Sequence, residues 1–442
     1  MRRTQATSWW SMVMLSAGLV PSIAWLRSGA PVHHDSVGNE TGAVTPNLTA
    51  AIDSFVTRRV AENSFSGVVA VALNGKMTYQ RAAGLANRAQ GIPLTLDTKL
   101  QIASITKIFT QVAILQLEQA GKLSLADTVG KFLPGYPNST VRSRVTVDQL
   151  LHHRSGVGSF WNAEFMARHA SIHTVSDYMA LFDRDSLLFQ PGTGEEYSNG
   201  GYVLLGAIIE RVSGQSYHDY VRTHIFEPAG MTGTTPYDNR RAVANGAVGY
   251  TSQSLDGPGP GDSRHAGLGP RPGYASPSAS GPVIIQHASA GNSDSAAPPA
   301  GLRLRIVGPD GHELSPDEAR KTVAEHAPES SARHANTATE AGTSGPAGDD
   351  YSTAADFIKF GHALVSRQLL DSARTSTVLG TRYNDGGEFR VGGGGPGVNA
   401  EFSIFPSGYV VAVLSNYDPP AATTIAQFIR ALLGTTPAPS TR

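Results

Sequence analysis

Three short stretches carry residue types that could do chemistry together. In ASITKIFTQVAILQLEQAGK, Ser104 stands three residues before Lys107, a spacing that puts both side chains on one helical face. A lysine held beside a serine in a dry cleft loses its proton more readily and can accept one from the hydroxyl. The first turn of a helix also favours a developing anion. In PGTGEEYSNGGYVLLG, Tyr197 and Asn199 lie two apart on a loop after Gly192, and in extended chain they would point the same way. A phenol stabilised as phenolate by a nearby lysine could shuttle protons to a leaving group, and Asn199 could hydrogen-bond both Lys107 and a substrate amide. In RVGGGGPGVNAEF, residues 390–402, four successive glycines stand where a strand is expected. Bare backbone can lie against a substrate and offer N–H groups to an oxyanion. Each stretch has a structural alternative: an N-cap Ser104 with a solvated Lys107, a packed Tyr197 with Asn199 as N-cap, and a glycine bulge or a close strand–helix packing point.

The elements that must position these residues follow from periodicity. Apolar residues at helical spacing predict a helix around 48–60, and SGVVAVALNGKMTYQRAAG predicts a hairpin turning at Asn74-Gly75. A long helix is expected from Ser104 to Ala120, closed by Gly121 at the C′ position. Residues from about 122 to 240 read as a helical, loop-rich subdomain. After 349, DDYSTAADFIKFGHALVSRQLL predicts a helix capped by Ser352 or Thr353. The glycine strand, the strand GYVVAVLSN and the helix TTIAQFIRALL complete the chain. Strands early and late with helices between predict an α+β fold. Its antiparallel sheet is drawn from both ends of the chain and flanked by helices, with an inserted all-α subdomain.

Composition sets the remaining bounds. The chain has 442 residues, 40% of them hydrophobic, a formal net charge of −1 and no cysteine. No basic, aromatic-interleaved patch marks a nucleic-acid partner, and disulfides and thiol catalysis are excluded. No His/Glu cluster has metal-ligand spacing, and neither a metal nor an organic cofactor is expected. Arg2, Arg3 and the apolar stretch that follows predict a signal peptide over 1–24, with an uncleaved N-terminal anchor as the other reading, and hence export. A linker follows over 25–47. No stable membrane span is expected after cleavage. Residues 252–348 are rich in Gly, Pro, Ser and Ala and predict a mostly disordered insert. Within it GLRLRIVGPDGHEL could form a small hairpin and SPDEARKTVAEH a short helix capped by Ser315.

Taken as a set, Ser-x-x-Lys, Tyr-x-Asn and the glycine strand resemble the serine β-lactamase and penicillin-binding-protein superfamily, in its branch of class C β-lactamases, D-alanyl-D-alanine carboxypeptidases and esterases. LLHHRSG at 150–156, FQPGTGEEYSNGGYVLLG at 189–206, EPAGMTGT at 227–234 and DDYSTAADFIKF at 349–360 resemble it as well. The resemblance implies a β-lactamase/transpeptidase-like fold over 48–251 and 349–436. It implies Ser104 as acylated nucleophile, Lys107 as its base, Tyr197 as proton shuttle and Asn199 as a substrate-positioning residue. The N–H groups of Ser104 and Gly394 would form the oxyanion hole. His153 matches a frequent family histidine and reads as structural, closing a helix. The substrate strand departs from the pattern: Val391 stands at the family's Lys or His, followed by Gly392 and Gly393, and valine supplies neither cation nor donor. Arg390 points to the other face of the strand. The expectation is therefore a hydrolase of esters or D-amino-acid peptides, small-molecule or peptide in kind, with weak or no β-lactamase activity. The alternative is a non-catalytic binding protein that retains the pocket.

Overall fold

The computed structural model describes residues 46–253, 333–337 and 340–435. The expected signal peptide, all but the last two residues of the expected linker, and the hairpin and helix expected around 301–326 lie outside the described residues.

Val, Ala and Leu at successive positions form strand β1 (Gly67–Leu73), which turns at Asn74-Gly75 into β2 (Lys76–Ala83). The three late strands are β3 (Phe389–Gly395), β4 (Val398–Ile404) and β5 (Tyr409–Ser415). They join the hairpin in one antiparallel sheet of order β2-β1-β5-β4-β3, with β1 paired along its length to β5 from Gly67↔Ser415 to Leu73↔Tyr409. An early strand and a late strand of the described domain are thus neighbours in the sheet. Every residue of β1, β4 and β5 is buried, because helices cover both faces. Val69, Val71, Val411 and Val413 face helices α1 (Pro46–Ala61) and α5 (Ala421–Thr435), meeting Ile52, Ile425 and Ile429. Their alternate neighbours, Val68, Ala70, Ala412 and Leu414, belong to a second core with helices α2 (Lys107–Gln119), α3 (Asn199–Ser213) and α4 (Ala354–Val365). Thr353 caps α4, its side chain accepting from the Asp356 N–H. Most of the region from 122 to 226 is short helices and loops packed around α3. Among the described residues no helix is long and apolar enough to cross a membrane.

Two local features depart from the sequence reading. Ser104 does not open an α-helix: residues Ala103–Thr106 form a 3-10 turn, and α2 starts at Lys107. Ala103 has φ +44°, a left-handed conformation that costs an alanine energy and bends the chain sharply out of the strand Leu100–Gln101. The second departure is the end of the insert. Residues 340–348 form a strap packed into the domain, and 333–337 lie along its surface with Asn336 buried. His334–Ala335 pair with Tyr250–Thr251, Ala341, Thr343, Ser344 and Ala347 are buried, and the Pro346 carbonyl accepts from Thr110 Oγ1 at 2.7 Å. Composition misplaces this boundary because the strap is buried through small residues and backbone hydrogen bonds rather than large side chains. Helix α3 accommodates it at Gly206, where a Cβ would sit 2.1 Å from Pro346 Cγ.

The glycine strand has a corresponding reason. β3 is the edge strand that runs past the 3-10 turn, and a Cβ on Gly393 would lie 2.4 Å from the Ile102 carbonyl oxygen and 3.0 Å from the Ser104 nitrogen. The bare backbone is what lets this strand approach the turn carrying Ser104.

Phe109 anchors α2 in the core, fully buried, its ring 4.9 Å from Phe226 and 5.2 Å from Phe360, both edge-on. Phe109→Ala is expected to cost about 3–5 kcal/mol of stability, read from urea unfolding at constant slope. A loss below about 1 kcal/mol would contradict the packing described.

Candidate active site

Ser104 Oγ is the centre of a tight polar cluster. The Tyr197 hydroxyl donates to it at 2.6 Å and Lys107 Nζ at 3.2 Å. Lys107 is only 7% exposed, and its ammonium also donates to Asn199 Oδ1 at 2.7 Å and to the Ala347 carbonyl. Its three protons are therefore all engaged by neutral oxygens. The same nitrogen stands 4.8 Å from the Tyr197 ring centre and 5.5 Å from that of Tyr202, a cation–π setting that further offsets its desolvation.

Local structure explains how Tyr197 and Asn199 reach the cluster. Ser198, not Asn199, caps α3, accepting from the Gly201 N–H at 2.8 Å. This frees the Asn199 amide, at the first helical position, to face Lys107 and donate to Ser159 Oγ at 3.3 Å. Tyr197 precedes the cap and is 48% exposed. Beneath it lies His153, in the left-handed conformation at φ +56° just beyond the helix Val147–Leu151. Its ring packs 4.7 Å from Tyr197 and 5.2 Å from Tyr202, and Nδ1 accepts the Ser198 N–H at 3.1 Å. Burial, and then the nearby Lys107 and His152 charges, push His153 down to about 4, so near neutral pH the imidazole is uncharged and Nδ1 can accept.

Beside the cluster opens a cleft of about 310 Å³. Ser104, Tyr197 and Asn199 line one wall, and Gly394 to Pro396 with Val398 another. Gly392 is exposed and Gly393 backs onto the Ser104 turn. Val391 packs against the core and does not line the cleft, and Arg390 is exposed. The structure thus brings Ser104, Lys107, Tyr197, Asn199 and Gly394 together and leaves Val391 aside. Sequence reading missed the strap: Ala347 holds Lys107, and Glu340 and Asp349 line the cleft. Only the stretch beginning at Asp349 carried a signal, and it was read as a helix start. Chemically, the arrangement offers a hydroxyl with two adjacent groups able to exchange its proton, beside backbone with no side chain in the way.

A sequence profile of the family described as Beta-lactamase matches residues 52–434, and the chain belongs to that family. Over 186 residues it is 36% identical to penicillin-binding protein 4* of Bacillus subtilis, covering 40% of this chain and 40% of that protein. Over 213 residues it is 31% identical to protein flp of Staphylococcus aureus strain MW2, covering 48% of this chain and 43% of that one. The chain thus spans less than half the length of these curated relatives. Among solved structures, a penicillin-binding protein from Bacillus halodurans superposes with TM-score 0.62 at 23% identity, over 85% of this chain and 98% of its own. A D-amino acid amidase from Ochrobactrum anthropi SV3 superposes with TM-score 0.58 at 22% identity, over 88% and 98%. The mixed fold, an antiparallel sheet flanked by helices, is therefore that of the β-lactamase and penicillin-binding-protein superfamily.

The depressed pKa of His153 has a pH consequence. The unfolded chain binds this proton near the ordinary 6.5 and the folded chain only near about 4. Stability from this group is fully present above 6.5 and is lost as pH falls toward 4. His153→Asn, which tolerates the left-handed backbone, is expected to show a smaller fall in melting temperature between pH 7 and pH 4.5 than the unaltered protein. Parallel pH profiles for the two proteins would remove the buried, neutral imidazole from the account.

Proposed function

We propose that this protein is a serine hydrolase that works through an acyl-enzyme on Ser104. Its substrates are esters or D-amino-acid peptides, and it has little or no β-lactamase activity. The observation that carries the reading is the double contact on Ser104 Oγ from Tyr197 and Lys107. Oγ attacks the acyl carbonyl carbon as its proton passes to a neighbour that has already lost its own. At 2.6 Å, against 3.2 Å for Lys107, the Tyr197 oxygen is the nearer of the two to Oγ. Both groups touch the same Oγ, so the two act as one base. The C–O or C–N bond to the leaving group then breaks, the proton is returned to that group, and water later releases the acyl chain from Ser104 by the reverse relay. Asn199 holds Lys107 and positions substrate, and the N–H groups of Ser104 and Gly394 serve the oxyanion. Val391 supports the restricted substrate range, since the strand offers no cation to a substrate carboxylate. Export, supported by the basic pair and apolar stretch near the N-terminus, belongs to this reading.

Intact-protein mass after exposure to a fluorophosphonate, and separately to a penicillin, tests it. A single fluorophosphonate adduct is expected, absent in Ser104→Ala, with little or no penicilloyl adduct. Folded protein with no adduct from either reagent would favour the other reading, a binding protein that retains the pocket.

A further inference from the structure

Among the described residues, three carboxylates line the cleft, Glu196, Glu340 and Asp349, and no lysine, arginine or histidine does. Lys107 lies outside the lining, behind Ser104 and Asn199, with its protons already engaged. Asp349 is next to the nucleophile: its N–H donates to the Ala103 carbonyl at 3.3 Å, and the preceding Gly348 has its Cβ direction 3.8 Å from the Ser104 nitrogen. Glu340 is anchored through its backbone, whose carbonyl oxygen hydrogen-bonds with His169 Nδ1. A substrate carboxylate entering this cleft would meet like charge in the described wall, whereas an ammonium group would meet two carboxylates already set there. Phe160 and Trp161 supply the apolar part of the lining.

We infer that the acyl group carries a free amine, and that Asp349 and Glu340 form the subsite for it. The substrate class is then esters or amides of α-amino acids with an unblocked amino group. The position of Asp349 beside the Ser104 turn suits an amine on the carbon adjacent to the scissile carbonyl. The aromatic wall suits the amino-acid side chain. This rests on the hydrolase reading above and narrows it. Burial raises both carboxyls above their ordinary range, so an arriving cation also relieves a desolvation cost.

The test is kcat/KM at pH 7 for the methyl ester of D-phenylalanine, its N-acetyl derivative and its N-succinyl derivative, with fluorophosphonate labelling of the same preparation. The free amine is expected to exceed the N-acetyl ester by at least about tenfold, since charge-assisted hydrogen bonds are the strong ones. The N-succinyl ester should be slowest, and the preference should shrink as salt is raised. In Glu340→Gln, and independently in Asp349→Asn, the ratio of free-amine to N-acetyl turnover should fall, with folding checked by circular dichroism. Labelling of Ser104 with no preference for the free amine overturns this inference alone. A preference that survives in both folded variants overturns the assignment of the subsite. No labelling overturns the hydrolase reading and this inference with it.

Discussion

The arrangement depends on one buried cation. Lys107 has left water almost completely, and no carboxylate pairs with it within salt-bridge distance among the described residues. A desolvated ammonium must be compensated, and here neutral oxygens do it. They come from Ser104 on the same turn, from Asn199, 92 residues on, and from Ala347, 240 residues on. Satisfying this charge therefore requires three distant parts of the chain to converge. This compensation is dipolar, and it holds the ammonium against Tyr197 and Ser104.

The surrounding structure makes that convergence rigid. Helix α2 is pinned by Phe109 among other aromatic rings. Helix α3 starts where Ser198 caps it, so Asn199 is delivered at a defined turn. The strap carrying Ala347 presses on α3 at a glycine. The edge strand β3 can close on the Ser104 turn only because Gly393 has no side chain. Backbone approach and charge compensation are two constraints on the same few ångströms, which is why strained backbone at Ala103 and small residues concentrate there.

The walls around this centre differ in what they contain. The strand keeps its bare backbone at the cleft, while Val391 packs against the core. The strap adds carboxylates on the facing side. A chain in the β-lactamase family thereby presents, among its described residues, a cleft lined by carboxylates beside Ser104.

Much of this was legible in the sequence. The hairpin at Asn74-Gly75, the buried strands, the late helices and the pairs Ser104–Lys107 and Tyr197–Asn199 rest on local spacing, and the family resemblance joined the two pairs. Alternation and helical periodicity report where large side chains are buried. What spacing could not show was any feature made by partners far away in the chain. The strap looked like part of a biased insert because its burial uses Ala, Gly, Ser and Thr, whose small side chains leave no periodic signal. Whether Ser198 or Asn199 would cap α3 depended on which side chain Lys107 claimed. That Ser104 sits on a 3-10 turn depended on strand β3 and the strap flanking it. The residues able to do the chemistry were written in the sequence. Their distances, and the charge of the cleft they face, were decided only when the tertiary fold brought remote backbone oxygens and carboxylates to them.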